Sequence, residues 1–108
     1  MTRTWGIAIA AMLGSVVSEP GSARADDAMQ IAYGEHLSGE CTTCHRIDGT
    51  DNGIPPIIGW PADAFVAVLT SYRDGERNNA AMMSVAKSLD EQQMNALAAY
   101  FGSLKPKH

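Results

Sequence analysis

Cysteine is scarce in this chain of 108 residues, with only Cys41 and Cys44 present. The length limits the chain to one small domain. A domain of this size buries little apolar surface, and it often needs disulfides, a metal or a cofactor to hold it together. Because no other cysteine exists, whatever these two bind is expected to supply that support.

Basic residues are also few, since 8 Lys and Arg stand against 12 Asp and Glu, for a net charge of −4. A chain of this charge is not expected to bind nucleic acid, because a phosphate backbone requires a basic face.

A long hydrophobic run is absent as well. The apolar run near the N-terminus covers residues 6–17, which is shorter than the roughly 20 residues that a membrane-spanning helix needs. Arg3 gives a positive start before this run, and a small-residue cleavage motif that ends at Ala25 follows it. We therefore predict a secretory signal peptide over residues 1–25, cleaved after Ala25. The mature domain, residues 26–108, would be exported to the periplasm without stable membrane insertion.

Strand-type patterning is missing, because no stretch alternates apolar and polar residues between turn signals. Helical patterns are present instead. Residues 28–38 predict a short helix, in which Gly34 makes sense if another helix crosses closely at that point. Residues 62–73 predict a second helix. Its apolar side chains share one face at i, i+3, i+4 and i+7: Phe65, Val68, Leu69 and Tyr72.

The clearest helix signal lies near the C-terminus. Asp90 is a good N-cap, and Gln93 follows three residues later, as a capping box requires. Apolar residues then recur at helical spacing: Met94, Leu97, Ala98 and Phe101. Residues 46–59, rich in Gly and Pro, and residues 76–84 are expected to be irregular. We predict an all-α domain of three to four short helices joined by long loops.

Cys41 and Cys44 belong to the segment C-T-T-C-H, which ends at His45 and fits the C-x-x-C-H signature of covalent haem attachment. Two thiols three positions apart on one helical turn reach both vinyl groups on one side of a porphyrin. The next residue then places its imidazole under the ring centre, where it ligates the iron. The sequence thus predicts one haem c, bound through both cysteines, with His45 as an iron ligand.

Three other chemistries use paired cysteines. A disulfide between Cys41 and Cys44 forms outside the cytosol, and it would make the chain a haemless interaction module. A thioredoxin-like redox pair requires a βαβ context, which this sequence lacks. A zinc site requires two more ligands, and only His36 and His108 remain. The histidine directly after the second cysteine favours haem over all three.

The second axial ligand of the iron has to come from elsewhere in the chain. Six side chains after residue 25 carry a suitable donor: Met29, His36, Met82, Met83, Met94 and His108. Met94 belongs to the apolar stripe of the last predicted helix, where packing is its expected role. Met82 and Met83 lie in the stretch predicted to be irregular, and a loop there can wrap over the far face of the haem. One of these two is expected to be the ligand.

With these residues in place, the chain resembles the class I cytochrome c family. Within it, the chain is similar to the small bacterial type found as domains of dihaem cytochromes and as the haem subunit of flavocytochrome c sulfide dehydrogenases. The resemblance covers residues 33–104. Its motifs follow in order: G-x-x-L from Gly34, C-x-x-C-H from Cys41, G-I-P-P-I-I-G from Gly53, L-x-x-Y-x-x-G-x-R from Leu69, M-x-x-V-A-x-x-L from Met82 and L-A-A-Y-F from Leu97. Of these motifs only C-x-x-C-H is specific by itself. The whole set in this order is much more specific for the family than any single motif.

The resemblance implies roles for further residues. Pro55 matches the proline whose backbone C=O accepts a hydrogen bond from the ligating imidazole, which fixes the tautomer of that ring. Met82 matches the distal ligand, because Val85 stands three residues after it as the family pattern requires. Met83 departs from the pattern by offering a second thioether. Two positions near the haem propionates are also matched: Tyr72 and Arg77.

The resemblance implies that the chain carries single electrons and is not an enzyme. When histidine and methionine fill both axial positions, no site remains for oxygen or peroxide. The expected partners are redox proteins, either a periplasmic oxidoreductase or a terminal acceptor. Without residues 1–25 the chain has 6 basic and 11 acidic residues, so long-range steering would favour a basic or neutral partner.

Two alternatives to a free carrier remain open. One is a permanent cytochrome subunit of a periplasmic oxidoreductase, for example one that oxidises a sulfur compound. The other is a five-coordinate haem that acts as a gas sensor or peroxidase, which requires both Met82 and Met83 to be off the iron.

Overall fold

A computed structural model describes Gly6 and residues 20–106 of the chain. Within that part every regular element is an α-helix, in the order α1 Pro20–Leu37, α2 Gly39–Thr42, α3 Ala62–Arg73, α4 Ala80–Lys87 and α5 Glu91–Ser103. Residues 43–61 form a long loop between α2 and α3. The predicted all-α architecture with long loops is confirmed.

α1 begins earlier than predicted, at Pro20 and not at residue 28. Proline is well tolerated in the first turn of a helix, and the alanines that follow favour helix. α1 therefore passes the predicted cleavage point after Ala25. Residues 1–19 of the predicted signal peptide, residues 1–25, lie outside the described residues apart from Gly6, and the signal peptide stays a prediction. Neither α1 nor any other helix of the described part is long and apolar enough to cross a bilayer.

α4 corrects the expectation of an irregular stretch over residues 76–84. Asn79 caps the helix in an extended conformation, and its side-chain oxygen accepts a hydrogen bond from the Met82 N–H at 2.9 Å. Alanine and methionine fill the first turn, and both are strong helix formers. Eight residues were too few for a helical period to be recognised. Met82 and Met83 therefore lie on a helix, and the described residues contain five helices where three to four were predicted.

The core lies where α3 meets α5. α5 buries the whole predicted stripe: Met94, Leu97, Ala98 and Phe101. On α3, Phe65 and Leu69 are buried, and the Phe65 ring stacks on Phe101 with centroids 5.7 Å apart. Val68 and Tyr72, predicted for the same face of α3, are half-buried. They line a cavity beside the core, described below.

The start of α5 is held by the predicted capping box. The Gln93 N–H donates to the Asp90 carboxylate at 2.8 Å, and the Asp90 N–H donates to the Gln93 side-chain oxygen at 2.9 Å. Together these bonds satisfy two N–H groups that have no partner inside the helix.

α1 crosses α5 at Gly34, so closely that no side chain fits there. A Cβ built on Gly34 would overlap the carbonyl group of Ala96 and lie 2.7 Å from the Cβ of Tyr100. The prediction that another helix passes close to Gly34 is confirmed.

The long loop is anchored to the end of α5. The Gly59 N–H donates to the Phe101 carbonyl at 2.9 Å, and the φ of Gly59 is +74°, a conformation that favours glycine. Next to it, the Trp60 carbonyl would lie 3.0 Å from a Cβ on Gly102, so loop and helix touch through their backbones. This contact holds the segment that carries Pro55 against the core.

We expect Gly34→Ala to lower the free energy of unfolding by about 1–3 kcal/mol, because the added methyl group has no room between α1 and α5. Urea unfolding of the haem-loaded protein, followed by circular dichroism, measures the loss. Gly39→Ala is the matched control, since a Cβ at Gly39 meets nothing within 4 Å. An equal loss in both variants would contradict the close crossing.

Candidate functional site

A cavity of about 360 Å³ lies between the C-x-x-C-H segment and helices α3, α4 and α5. Its volume falls within the range of small-molecule and cofactor sites. Apolar side chains form most of its wall: Ile54, Ile57, Trp60, Phe65, Val68, Leu69, Val85, Leu89 and Leu97. Such a wall favours a large apolar ligand, because both surfaces leave water when they meet.

The C-x-x-C-H segment contributes two thiols and one imidazole to the cavity. Cys41 is half-buried in α2, Cys44 is exposed just after it, and His45 is buried. The N–H groups of Cys44 and His45 both donate to the Cys41 carbonyl, at 3.2 and 2.8 Å. These bonds wind the segment into one turn, so that all three side chains line the same cavity. No disulfide joins Cys41 to Cys44.

His45 is held in one orientation by the long loop. Its Nδ1 lies 2.7 Å from the carbonyl oxygen of Pro55. Because a carbonyl only accepts hydrogen bonds, we assign the proton to Nδ1, which leaves a lone pair on Nε2. This bond prepares Nε2 as a metal ligand. It is the contact that the family resemblance implied for Pro55.

Among the described candidates for the second axial ligand, only Met82 lines the cavity. Met82 lies in the first turn of α4, half-buried and packed against the core. The other described candidates are absent from the cavity wall: Met29, His36, Met83 and Met94. Met29 is 71% exposed, whereas Met94 is 1% exposed in the core, as its place in the apolar stripe predicted. His108 lies outside the described residues.

Tyr72 and Arg77 also line the cavity, and the resemblance expected them near the haem propionates. The guanidinium carbon of Arg77 lies 5.9 Å from the centre of the Tyr72 ring, within the range of a cation–π contact. The pair supplies a cation and a phenol hydroxyl at one place. These are groups that bind carboxylates.

The sequence interpretation missed Glu40, Trp60 and Asn79, which line the same cavity. A signal for Asn79 was available, because an asparagine directly before a run of helix formers is a common N-cap. Trp60 packs edge-on against Phe65 with centroids 6.0 Å apart. No local pattern marks such a residue, since its position depends on how the loop folds back on α3.

Burial raises the pKa of the Cys41 thiol to about 11, and the neighbouring Glu40 carboxylate adds to the rise. A redox-active C-x-x-C pair depends on a lowered cysteine pKa, so this site does not favour the thioredoxin-like alternative. The zinc alternative gains no support either. In the part of the chain that the structure covers, no three His, Cys, Asp or Glu side chains come together to hold a metal ion.

The residues of the cavity fit one covalently bound haem. Two cysteines that form no disulfide stand at the spacing that thioether attachment needs. An imidazole with a free Nε2 and a thioether line the same apolar cavity, and both are ligands that hold haem iron in proteins. The fold and the site together define a small all-α haem protein.

Comparison with known proteins agrees with this definition. The model of the Cytochrome c family matches residues 31–105, and the chain belongs to this family. It therefore carries haem c covalently, through Cys41 and Cys44. Its function is electron transfer, not catalysis.

Three relatives show how far the similarity extends. The thiosulfate dehydrogenase electron acceptor of Thiomonas intermedia is 41% identical over 69 residues, or 61% of this chain, which spans only 32% of that protein's length. The cytochrome subunit of sulfide dehydrogenase of Chlorobaculum tepidum is 33% identical over 76 residues, 69% of each protein. Cytochrome c-554(548) of Halomonas halodenitrificans is 37% identical over 79 residues, 67% of this chain and 93% of that protein.

The loop that carries Pro55 begins with a turn held by a carboxylate. Asp48 accepts hydrogen bonds from the Arg46 guanidinium at 3.2 Å and from the Thr50 N–H at 2.9 Å. The contacts with Arg46 and Thr50 hold the pKa of Asp48 well below its usual range. The folded state therefore favours the ionised carboxylate.

We expect Asp48→Asn to lower thermal stability near neutral pH, by an amount that shrinks as the pH falls below about 4. Because the folded pKa of Asp48 is depressed, its contribution is present above the unfolded pKa and is lost as pH falls through the folded value. Thermal unfolding of both proteins across the acid range measures this difference. Asp51→Asn, which leaves the contact between Arg46 and Asp48 intact, is the control. A difference that stays constant in acid would contradict the role of Asp48.

Proposed function

We propose that this chain is a periplasmic single-electron carrier whose haem iron is held between His45 and Met82. One observation carries the proposal. The cavity that both cysteines line is also lined by the imidazole of His45, oriented through its 2.7 Å contact with the Pro55 carbonyl, and by the thioether-bearing residue Met82.

Each side chain then has a role in a reaction that makes and breaks no covalent bond. Haem iron, when bound, supplies the one-electron couple. His45 and Met82 would hold the iron between them and would leave it no open site for oxygen or peroxide. The thioether of Met82 favours Fe(II) and raises the reduction potential relative to bis-histidine ligation. The apolar wall excludes water and so disfavours the extra charge of the oxidised state.

Export rests on the sequence alone. The positive start at Arg3, the apolar run over residues 6–17 and the cleavage motif at Ala25 support a signal peptide. Permanent attachment through thioethers suits a compartment without a ready supply of haem.

A second candidate function is the electron acceptor, or a bound cytochrome subunit, of a dehydrogenase that oxidises a sulfur compound. Two relatives favour it, because one is named a thiosulfate dehydrogenase electron acceptor and the other a cytochrome subunit of sulfide dehydrogenase. The chain spans about a third of the first protein and 69% of the second. That a dehydrogenase of this kind donates electrons to this chain is therefore a proposal.

Gel filtration of native extract separates the two candidates, since we expect a free carrier to elute near the mass of one chain with its haem. Co-elution with a larger dehydrogenase would favour the subunit.

For either candidate, association with the partner should weaken or stay flat as salt is added, because the acidic charge of the chain favours a basic or neutral partner. Association that strengthens with salt would contradict attractive steering.

The ligand assignment is tested with protein purified from the periplasmic fraction, where Asp26 is the expected N-terminus. The oxidised protein should show the weak near-infrared band of Fe(III)–methionine ligation. Met82→Ala should abolish this band and lower the reduction potential, because a thioether ligand is lost. Met83→Ala is the matched control and should keep both.

Three results would contradict the proposal. If Met83→Ala alone removes the band, the ligand is Met83. A band that is absent from the unsubstituted protein favours the five-coordinate alternative. Colourless protein with both thiols free, or joined to each other, excludes haem attachment altogether.

A further inference from the structure

One residue, Asn79, holds the backbone of both adjacent methionines. Its side-chain oxygen accepts a hydrogen bond from the Met82 N–H at 2.9 Å. Its backbone carbonyl accepts a second hydrogen bond, from the Met83 N–H at 2.8 Å. Asn79 itself is extended, with φ −156° and ψ 117°. The conformation of the first turn of α4 is therefore set at this position.

Apart from the packing of Met82 against the core, the first turn of α4 has little support. The helix has eight residues, and helices this short do not hold themselves together in water. Residues 73–81, which lead into and begin the helix, are all exposed. The buried residue of α4 is Ala86, one turn further on. The cap at Asn79 is thus a principal constraint on where Met82 lies.

The helical backbone decides which of the two methionines faces the cavity. Successive residues of an α-helix point about 100° apart, and only Met82 of the two lines the cavity. Both side chains are half-buried and carry the same donor atom. If the first turn unwinds, the backbone no longer keeps Met83 away from the cavity, and both thioethers come within reach.

We propose that Asn79 is a positioning residue that selects Met82 over Met83 as the distal ligand of the iron. It does so by capping α4 and fixing the first turn, without touching the iron. This inference rests on the proposed function, in which a thioether from this pair ligates the haem.

The test uses haem-loaded protein with Asn79→Ala. We expect the near-infrared methionine band to weaken, and the methyl resonance of the axial methionine in the reduced protein to broaden or to split into two. Free imidazole should displace the thioether at a concentration lower by about fivefold, the ratio that corresponds to loss of a typical N-cap.

Two further variants separate positioning from general stability. Asn79→Ser keeps an acceptor that caps a helix, so it should restore a single methyl resonance and the imidazole concentration of the unsubstituted protein. Adding Met83→Leu to Asn79→Ala removes the competing thioether, and the second methyl resonance should disappear.

Asp90→Ala is the matched control. It removes the capping box of α5, a helix whose methionine, Met94, lies in the core and outside the cavity wall. It should lower the melting temperature without changing the methionine band or the imidazole concentration.

The inference is overturned if Asn79→Ala keeps one sharp methyl resonance and an unchanged imidazole concentration. It is equally overturned if Asp90→Ala reproduces the effects of Asn79→Ala, because the change would then reflect global stability. In both cases the unsubstituted protein shows the band and Met82→Ala removes it, so the proposed function stands. A band that is missing from the unsubstituted protein overturns the proposed function and the inference together.

Discussion

The hydrogen bond from His45 to the Pro55 carbonyl ties the haem-binding segment to the rest of the molecule. His45 is 8% exposed, and a buried N–H without an acceptor costs about 1–3 kcal/mol. Pro56 restricts the backbone of the residue before it, which holds the accepting carbonyl in place. The same loop is fastened to α5 where the Gly59 N–H donates to the Phe101 carbonyl. The orientation of the imidazole thus depends on a series of backbone contacts that ends in the core.

The walls of the cavity differ in how extensively they pack against the core. α3 and α5 contribute residues from the buried aromatic and aliphatic core, and α1 closes on α5 at Gly34, where no side chain fits. Met82 instead comes from an eight-residue helix that begins among exposed residues. Electron transfer is fast when both ligands keep their places in both oxidation states, since little then has to rearrange. Because the walls formed by α3 and α5 belong to the core, the position of the Met82 thioether depends mainly on the order of the first turn of α4.

Membership in the Cytochrome c family accounts for the cofactor and the kind of reaction, but donor and acceptor depend on the surface. The chain has three lysines and an excess of acidic residues, so a lysine-ringed docking face is not available to it. Relatives named for thiosulfate and sulfide dehydrogenases share the domain while differing in total length. A common haem domain can therefore serve different partners, with charge deciding which of them approach.

The sequence by itself determined the cofactor and its proximal attachment, because two thiols and an imidazole within five residues act through local geometry. It also determined α3 and α5, whose apolar residues repeat over enough turns to be recognised, and the need for a close neighbour at Gly34. The family resemblance indicated Met82, but only the tertiary structure showed that Met82 lines the cavity while Met83 does not, and that Asn79 and Trp60 stand beside it. α4 is too short to show a period, and the position of its first turn relative to the haem-binding segment depends on contacts between residues that are far apart in the chain.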